Sequence, residues 1–338
     1  MKKVYVIAEA GVNHNGSVEL AHKLIDAAKA SRADAIKFQT FKTEKILTPS
    51  AEMANYQQKN MKMEGNQFQM LKELELSYEA FAVLKAYAKS VGLEFLSTPD
   101  DEESLDFLVD KLKLTCIKIG SGEVTNLPFL RRIAAKQKKI ILSTGMSNLG
   151  EVERAFETLR QISKKEIVLL HCTSNYPCPP HEANLRAIQT LKNKFKTRVG
   201  YSDHTLGTEI PVAAVALGAE VIEKHLTLDK TMKGPDHVAS LEPQEFAEMI
   251  YKIRFIEKAL GNGVKVSSVS ENEIKPMVQK RIVTARKLPA GIALKISDLH
   301  FKRAKSGIFV KNINGVIGLK LVKKLQANMP IEWNFLSK

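Results

Sequence analysis

Short apolar runs that end in polar residues recur from near one terminus of the chain almost to the other. Val4–Ile7 leads to Glu9, Ala35–Ile36 to Lys37 and Gln39, Leu93–Leu96 to Ser97 and Thr98, and Cys116–Ile119 to Ser121 and Glu123. Ile140–Leu142 ends at Ser143, Ile167–Leu170 at His171, Val199–Tyr201 at Asp203 and His204, and Val221–Ile222 at Glu223 and His225. Between the runs lie segments of helical period. Ser17 caps one in which Leu20, Leu24, Ala27 and Ala28 share a face, and Val152, Phe156, Leu159 and Ile162 do the same in another. Eight strands alternating with helices predict an α/β fold, a (β/α)8 TIM barrel, whose strand-end polar residues converge on one mouth. That arrangement predicts an enzyme.

The periodicity lapses in two places. From Phe41 to Asn66, with Pro49 and Gly65 inside it, a long loop is expected over the mouth, a candidate lid. After a last barrel helix carrying Phe246, Met249, Ile250, Ile253 and Ile256, residues 263–280 read as a linker. The barrel thus occupies 1–262. From 281 to 338 short strands and turns take over, at Ile282–Ala285, Pro289-Ala290-Gly291, Leu299–Arg303 and Gly318–Val322. This predicts a small, mostly β domain whose single core is marginal for its size, so that it leans on the barrel or on a second chain.

A length of 338 residues suits one barrel and one small domain. With no apolar leader and no run near the ~20 residues of a membrane span, a soluble, cytoplasmic protein without membrane partners is expected. Cys116, Cys172 and Cys178 lack CxxC spacing and read as reduced thiols. The net charge is +14, and residues 281–338 hold twelve Lys and Arg against Asp298 and Glu332, a balance of +10, which leaves 39 basic against 35 acidic residues before them. That tail has no interleaved stacking aromatics, so a solvated face or steering of a small anion explains it better than nucleic acid.

Two groupings carry chemistry. His204 and His225 close adjacent strands, about 4.8 Å apart, and the pair reads as metal ligands, although either one alone reads as a hydrogen-bonded core residue. Histidine with carboxylate and water suits Mn²⁺, Fe²⁺, Co²⁺ or Zn²⁺ better than Mg²⁺, and Mn²⁺ is the cofactor expected first, with Mg²⁺ or Co²⁺ also open. Lys118-Ile119-Gly120-Ser121-Gly122-Glu123 and Ser143-Thr144-Gly145, with Lys37, describe a cationic, donor-rich floor for a phosphorylated or carboxylated substrate. Each loop by itself is also an ordinary βα turn.

With these motifs stand Ala8-Glu9-Ala10-Gly11-Val12-Asn13-His14-Asn15-Gly16, Lys37-Phe38-Gln39, Ser97-Thr98-Pro99, Tyr201-Ser202-Asp203-His204-Thr205, Glu223-Lys224-His225-Leu226-Thr227-Leu228 and Gly234-Pro235-Asp236-His237. Together they resemble the signature set of the sialic acid (nonulosonate) synthase family, which includes N-acetylneuraminate and N,N'-diacetyllegionaminate synthases, and residues 281–338 resemble its antifreeze-like (SAF) domain. The resemblance implies condensation of phosphoenolpyruvate with an open-chain N-acetylated amino sugar, giving a nine-carbon 2-keto acid and phosphate. It implies a metal on His204 and His225 that polarises the sugar aldehyde. Glu9 is the candidate for activating the water that adds at C2 of the enolpyruvate unit, unless it serves only to pair with Lys37 or Lys118. By matching position, Lys37, Lys118, Ser121, Ser143 and Asp236 surround phosphoenolpyruvate, with Thr98, Glu123, Asn175 and Tyr176 nearby, while Gln39 and Asp203 contact or position the sugar. In that family a domain-swapped homodimer brings an arginine of the terminal domain to the partner's site, and Arg303 occupies its place.

Two departures bear on the acceptor. Thr173-Ser174-Asn175-Tyr176 leaves open whether Ser174 or Asn175 takes the role of the family's asparagine, and Asp100-Asp101 follows Pro99 where many members have phenylalanine. N-acetylmannosamine and 2,4-diacetamido-2,4,6-trideoxymannose both stay open as acceptors. A Schiff-base aldolase using Lys37 or Lys118, or a non-catalytic anion or nucleic-acid binder resting on the basic tail, are the competing readings.

Overall fold

The computed structural model describes residues 3–61 and 66–338. The expectation for Gly65 as a loop marker falls outside them. The chain divides into two compact units, Met1–Asn262 and Gly263–Lys338.

In the first unit the eight apolar runs form parallel strands: β1 (Tyr5–Gly11), β2 (Ala35–Thr40), β3 (Glu94–Pro99), β4 (Cys116–Ile119), β5 (Lys139–Ser143), β6 (Ile167–Cys172), β7 (Val199–Asp203) and β8 (Val221–His225). Hydrogen-bonded ladders run in the order β3-β2-β1-β8-β7-β6-β5-β4, and β3 and β4 meet across the remaining seam, so the barrel is nearly closed. The crossover helices begin where capping chemistry permits. Ser17 Oγ accepts from Leu20 N–H at 3.2 Å ahead of Val18–Ala30, and Asn148 and Glu151 form a capping box ahead of Leu149–Ile162.

Strand side chains alternate between two cores, since successive Cβ atoms leave opposite faces. Outward residues such as Val6, Ala8, Ile36, Phe38, Ile117, Ile140, Leu169 and Ile222 pack under the helices. Inward residues Ile7, Ala35, Leu96, Cys116, Ile141, Val168, Leu170 and Val221 fill the barrel's lower interior. The next inward positions toward the carboxyl ends are polar, and they carry the chemistry. Gly200 marks how tightly the interior closes, because a Cβ there would lie 2.3 Å from the carbonyl oxygen of Val221.

The segment expected as a bare loop over the mouth contains two short helices, Thr43–Ile46 and Asn55–Met61. Met53, Met61, Met70 and Leu74 pack with Val12 and Phe41 in a small cluster of their own. Few β-branched or periodic positions are needed to hold so short a helix when a local apolar cluster anchors it.

The second unit has two antiparallel pairs, β9 (Arg281–Thr284) with β10 (Leu299–Lys302) and β11 (Lys320–Leu321) with β12 (Leu336–Ser337). Ile282, Leu288, Leu294, Leu299, Ile308, Val316, Leu321, Leu325 and Ile331 form its core. The segment read as a linker is not all irregular: Val269–Val278 is helical, opened by a Ser268 and Glu271 capping box. Its Val269, Ile274 and Met277 are solvent-exposed, so no buried stripe was there to read.

Candidate active site

At the carboxyl ends of the strands a cavity of about 440 Å³ is lined by Glu9, Lys37, Gln39, Thr98, Lys118, Ser121, Ser143, Ser174, Tyr176, His204 and His225, all singled out from the sequence. Ser202, Glu223, Cys172, Asp100, Tyr56 and Gln57 complete it. The first two follow from alternation once Glu9, Lys37 and His225 are known to face inward, because Ser202 pairs with Glu223 in the β7–β8 ladder and Glu9 with His225 in the β1–β8 ladder.

The same alternation corrects one expectation. Asp203, expected to contact or position the sugar, points outward and has no surface on the cavity. It is fully buried, 2.6 Å from the ammonium of Lys224, and accepts from the Thr205 hydroxyl and N–H. Glu123 also lies off the wall, accepting from Asn126 Nδ2 at 2.6 Å. Ser174 lines the cavity and Asn175 does not. Asp236 stands behind it, with its carboxylate 3.8 Å from His225 Nδ1. Arg303 lies in the second unit and is exposed.

Two lysines dominate the floor. Lys37 Nζ is 2.7 Å from the Glu9 carboxylate and donates to Thr98 Oγ1 at 2.9 Å. Lys118 Nζ donates to Ser143 Oγ at 2.6 Å and lies 3.5 Å from Glu223, which accepts from Ser202 Oγ. Burial works against charge on Lys37, but Glu223 and Glu9 more than offset it and hold its pKa up, whereas burial prevails at Lys118 and lowers it. Burial also raises the Glu9 carboxyl to about 7 despite Lys37 beside it. Two ammonium groups among hydroxyl donors make a receptor for a multiply charged anion. Glu9 stands at its edge, able to exchange a proton near neutrality.

The imidazoles of His204 and His225 have centroids 5.5 Å apart, and Tyr176 lies against both, 4.0 Å from His204 and edge-on to His225. Burial holds both rings neutral, His204 down to about 4 although the Thr173 carbonyl, Asp203 and Glu223 favour its charged form, and His225 well below the usual value, where His204 and the nearby lysines add to the effect of burial. His204 Nδ1 bonds the Thr173 carbonyl at 2.7 Å, which leaves Nε2 as its lone-pair nitrogen, and the buried Nδ1 of His225 has no hydrogen-bond partner. A neutral pair with one nitrogen oriented by a carbonyl and another unsatisfied fits metal ligation. Among the described residues no third His, Cys, Asp or Glu completes a protein cage, so oxygen from water or substrate would supply the other positions.

Above the pair, Tyr56 of the 55–61 helix stacks on Tyr176 at 5.1 Å. Asn60 Nδ2 donates to the carbonyls of Tyr176 and Pro235 at 3.1 and 2.7 Å, which fastens that helix to the loops after β6 and β8.

A barrel mouth with two buried ammonium groups among hydroxyl donors, a carboxylate beside them and a neutral imidazole pair defines the site of an enzyme that takes an anionic substrate. Comparison with known proteins gives the class its family: residues 24–265 match the NeuB family and residues 281–337 the SAF domain, and the chain belongs to the NeuB family. It is 49% identical to the N,N'-diacetyllegionaminic acid synthase of Campylobacter jejuni over 94% of this chain and 96% of that protein. Its identity to the synthase of the same name from Legionella pneumophila is 44%, over 98% and 94%. Among solved structures, the N-acetylneuraminic acid (sialic acid) synthetase of Leptospira borgpetersenii, crystallised with citrate, is 37% identical with a TM-score of 0.73, over 80% of this chain and 90% of that one.

Proposed function

We propose that the protein condenses phosphoenolpyruvate with 2,4-diacetamido-2,4,6-trideoxymannose, forming a legionaminic-acid-type nine-carbon 2-keto acid and releasing phosphate. The observation that carries the reaction is the cavity itself, in which Lys37 and Lys118 sit among hydroxyl donors beside Glu9 and the imidazole pair. The choice of acceptor rests on identities of 49% and 44% to two N,N'-diacetyllegionaminic acid synthases.

Phosphoenolpyruvate lies on the two lysines, with Ser143 and Thr98 orienting its oxygens. Its C3 attacks the sugar aldehyde, forming the new carbon–carbon bond, and the carbonyl oxygen takes up a proton to become a hydroxyl, which balances the proton that the added water gives up. Glu9 takes a proton from the water that adds at C2, and the resulting carbon, bearing both hydroxyl and phosphate, expels phosphate to leave the ketone. His204 and His225 would hold a divalent ion such as Mn²⁺, with oxygen from water or substrate at its other positions, and such an ion would polarise the aldehyde oxygen. Tyr56, Tyr176 and Gln57 narrow the opening to water.

The active assembly is proposed as a homodimer in which the basic second unit supplies Arg303 to a partner's barrel, and the compartment as the cytoplasm, where three buried free cysteines stay reduced. Incubation with phosphoenolpyruvate, Mn²⁺ and each sugar in turn tests the reading. Phosphate and a product with the mass of the two substrates plus one water less phosphoric acid should appear with the diacetamido sugar in preference to N-acetylmannosamine. Failure of both sugars to consume phosphoenolpyruvate would overturn it.

A further inference from the structure

Among the described charged groups on the cavity wall, Asp100 is the one whose carboxylate has neither a hydrogen bond nor an ion pair. Glu9 faces Lys37, Glu223 faces Lys118 and Ser202, and both lysines have hydroxyl partners. The contrast with the next residue is local. Asp101 spends its carboxylate on the fold, capping the following helix through Ser104 N–H and Oγ at 2.7 and 2.6 Å and accepting from Lys42 N–H. Asp100 has only its backbone N–H engaged, with the Thr40 carbonyl at 3.1 Å. That bond continues the β2–β3 register one residue past Pro99 and sets Asp100 on the inward face shared by Leu96 and Thr98.

Its height in the barrel sets it above the lysine floor, though still within electrostatic reach of Lys37. Two residues along a strand rise about 6.6 Å, so Asp100 stands a full layer above Thr98, which touches Lys37. It also borders a cleft of about 560 Å³ with Lys45, Asn126 and Arg132, so it forms the partition at the open end of the cavity. A carboxylate there repels a phosphate- and carboxylate-bearing substrate and attracts a neutral, donor-rich one. Burial raises its pKa to about 7, a cost of ionisation that Lys37 does not cancel and that a donor from a ligand would relieve.

We propose that Asp100 is a specificity-determining residue for the acceptor: its carboxylate accepts a hydrogen bond from a hydroxyl or acetamido N–H of the open-chain sugar, and it makes no contact with phosphoenolpyruvate. This rests on the two-substrate condensation proposed above. Other residues hold the anion, and Asp100 reads the neutral partner.

The test is steady-state kinetics of the full chain and of Asp100→Asn and Asp100→Ala, varying each substrate separately, with phosphoenolpyruvate affinity measured independently by calorimetry. The KM for the sugar should rise about 10- to 100-fold, the scale of one hydrogen bond to a charged group, while the KM and calorimetric affinity for phosphoenolpyruvate stay within about twofold of the parent. Asp100→Glu should regain part of the sugar affinity, which a merely structural role for the side chain would not predict. An unchanged sugar KM in Asp100→Ala, or a loss confined to phosphoenolpyruvate, overturns the assignment while the parent's activity stands. A parent enzyme inactive with every amino sugar would overturn the condensation reading instead.

Discussion

Asp203 and Lys224 join β7 to β8 on the outer face, one residue before each of the two histidines, and their removal should damage the protein unequally. Both side chains are fully buried and 2.6 Å apart, a separation at which opposite charges attract by about 6 kcal/mol at an effective dielectric of ~20. Desolvation offsets much of that, so the pair adds little net stability, yet breaking it strands a charge. The residual partners differ. Without Lys224, Asp203 keeps the Thr205 hydroxyl and N–H at 2.9 and 3.1 Å; without Asp203, Lys224 keeps only the Thr205 carbonyl. Asp203→Ala should therefore cost about 3–5 kcal/mol, the range for an uncompensated buried charge, and Lys224→Met about half as much. At about 2–4 °C per kcal/mol for a unit of this size, Asp203→Ala should lower the melting temperature by roughly 6–20 °C. The double variant Asp203→Ala/Lys224→Met should melt above Asp203→Ala, since no charge is left behind. Calorimetric melting of the four proteins decides it. Single losses that simply add in the double variant, or a Lys224→Met loss exceeding that of Asp203→Ala, would refute the reasoning.

Three further outcomes follow from the geometry. Gly145→Ala places a Cβ 2.3 Å from Ser174 Oγ and 2.9 Å from both Cys172 Sγ and Ser121 Oγ, all movable side-chain ends, so phosphoenolpyruvate affinity should fall at least tenfold in kinetics while the melting temperature changes little. His225→Ala should weaken Mn²⁺ binding by at least tenfold, read by paramagnetic resonance of the free ion without any turnover, and Mn²⁺ affinity equal to the parent's would exclude the pair as ligands. Arg303→Ala and Glu9→Ala chains, each inactive alone, should regain partial activity when mixed and allowed to exchange subunits, and continued inactivity after verified exchange would exclude a shared site.

The barrel was legible because its eight strand-end polar positions recur at helix-separated intervals, and the neighbouring imidazoles because both histidines fall at the same point of adjacent strands. What alternation alone decides was harder to read from motifs. Asp203 was placed at the sugar end by its match to the resembling family, yet it is one residue from the inward His204, and one step along a strand turns a side chain to the other face. Ser202 and Glu223 were available by the same counting. The helix Val269–Val278 carried a legible Ser268-to-Glu271 capping signal, but with its apolar residues exposed it offered no periodic stripe to confirm it. Asp100 was visible only as a departure from a resembling family. That its carboxylate is unspent while that of Asp101 caps a helix is a property of folded geometry.

The two-faced strands also bear on what genetic change this enzyme can tolerate. Loss of a single codon early in β8 would shift the following residues by one place and turn Ile222 and Lys224 toward the cavity in exchange for Glu223 and His225. The chain would keep nearly its whole composition and lose a proposed metal ligand, a floor carboxylate and the partner of Asp203 at once. Point substitutions at the rim, where Asp100 stands, leave the phase of every strand untouched. With the acceptor role proposed for Asp100, lineages of such a protein would be expected to change acceptor by substitution at the mouth and to carry insertions and deletions in the loops between strands and helices.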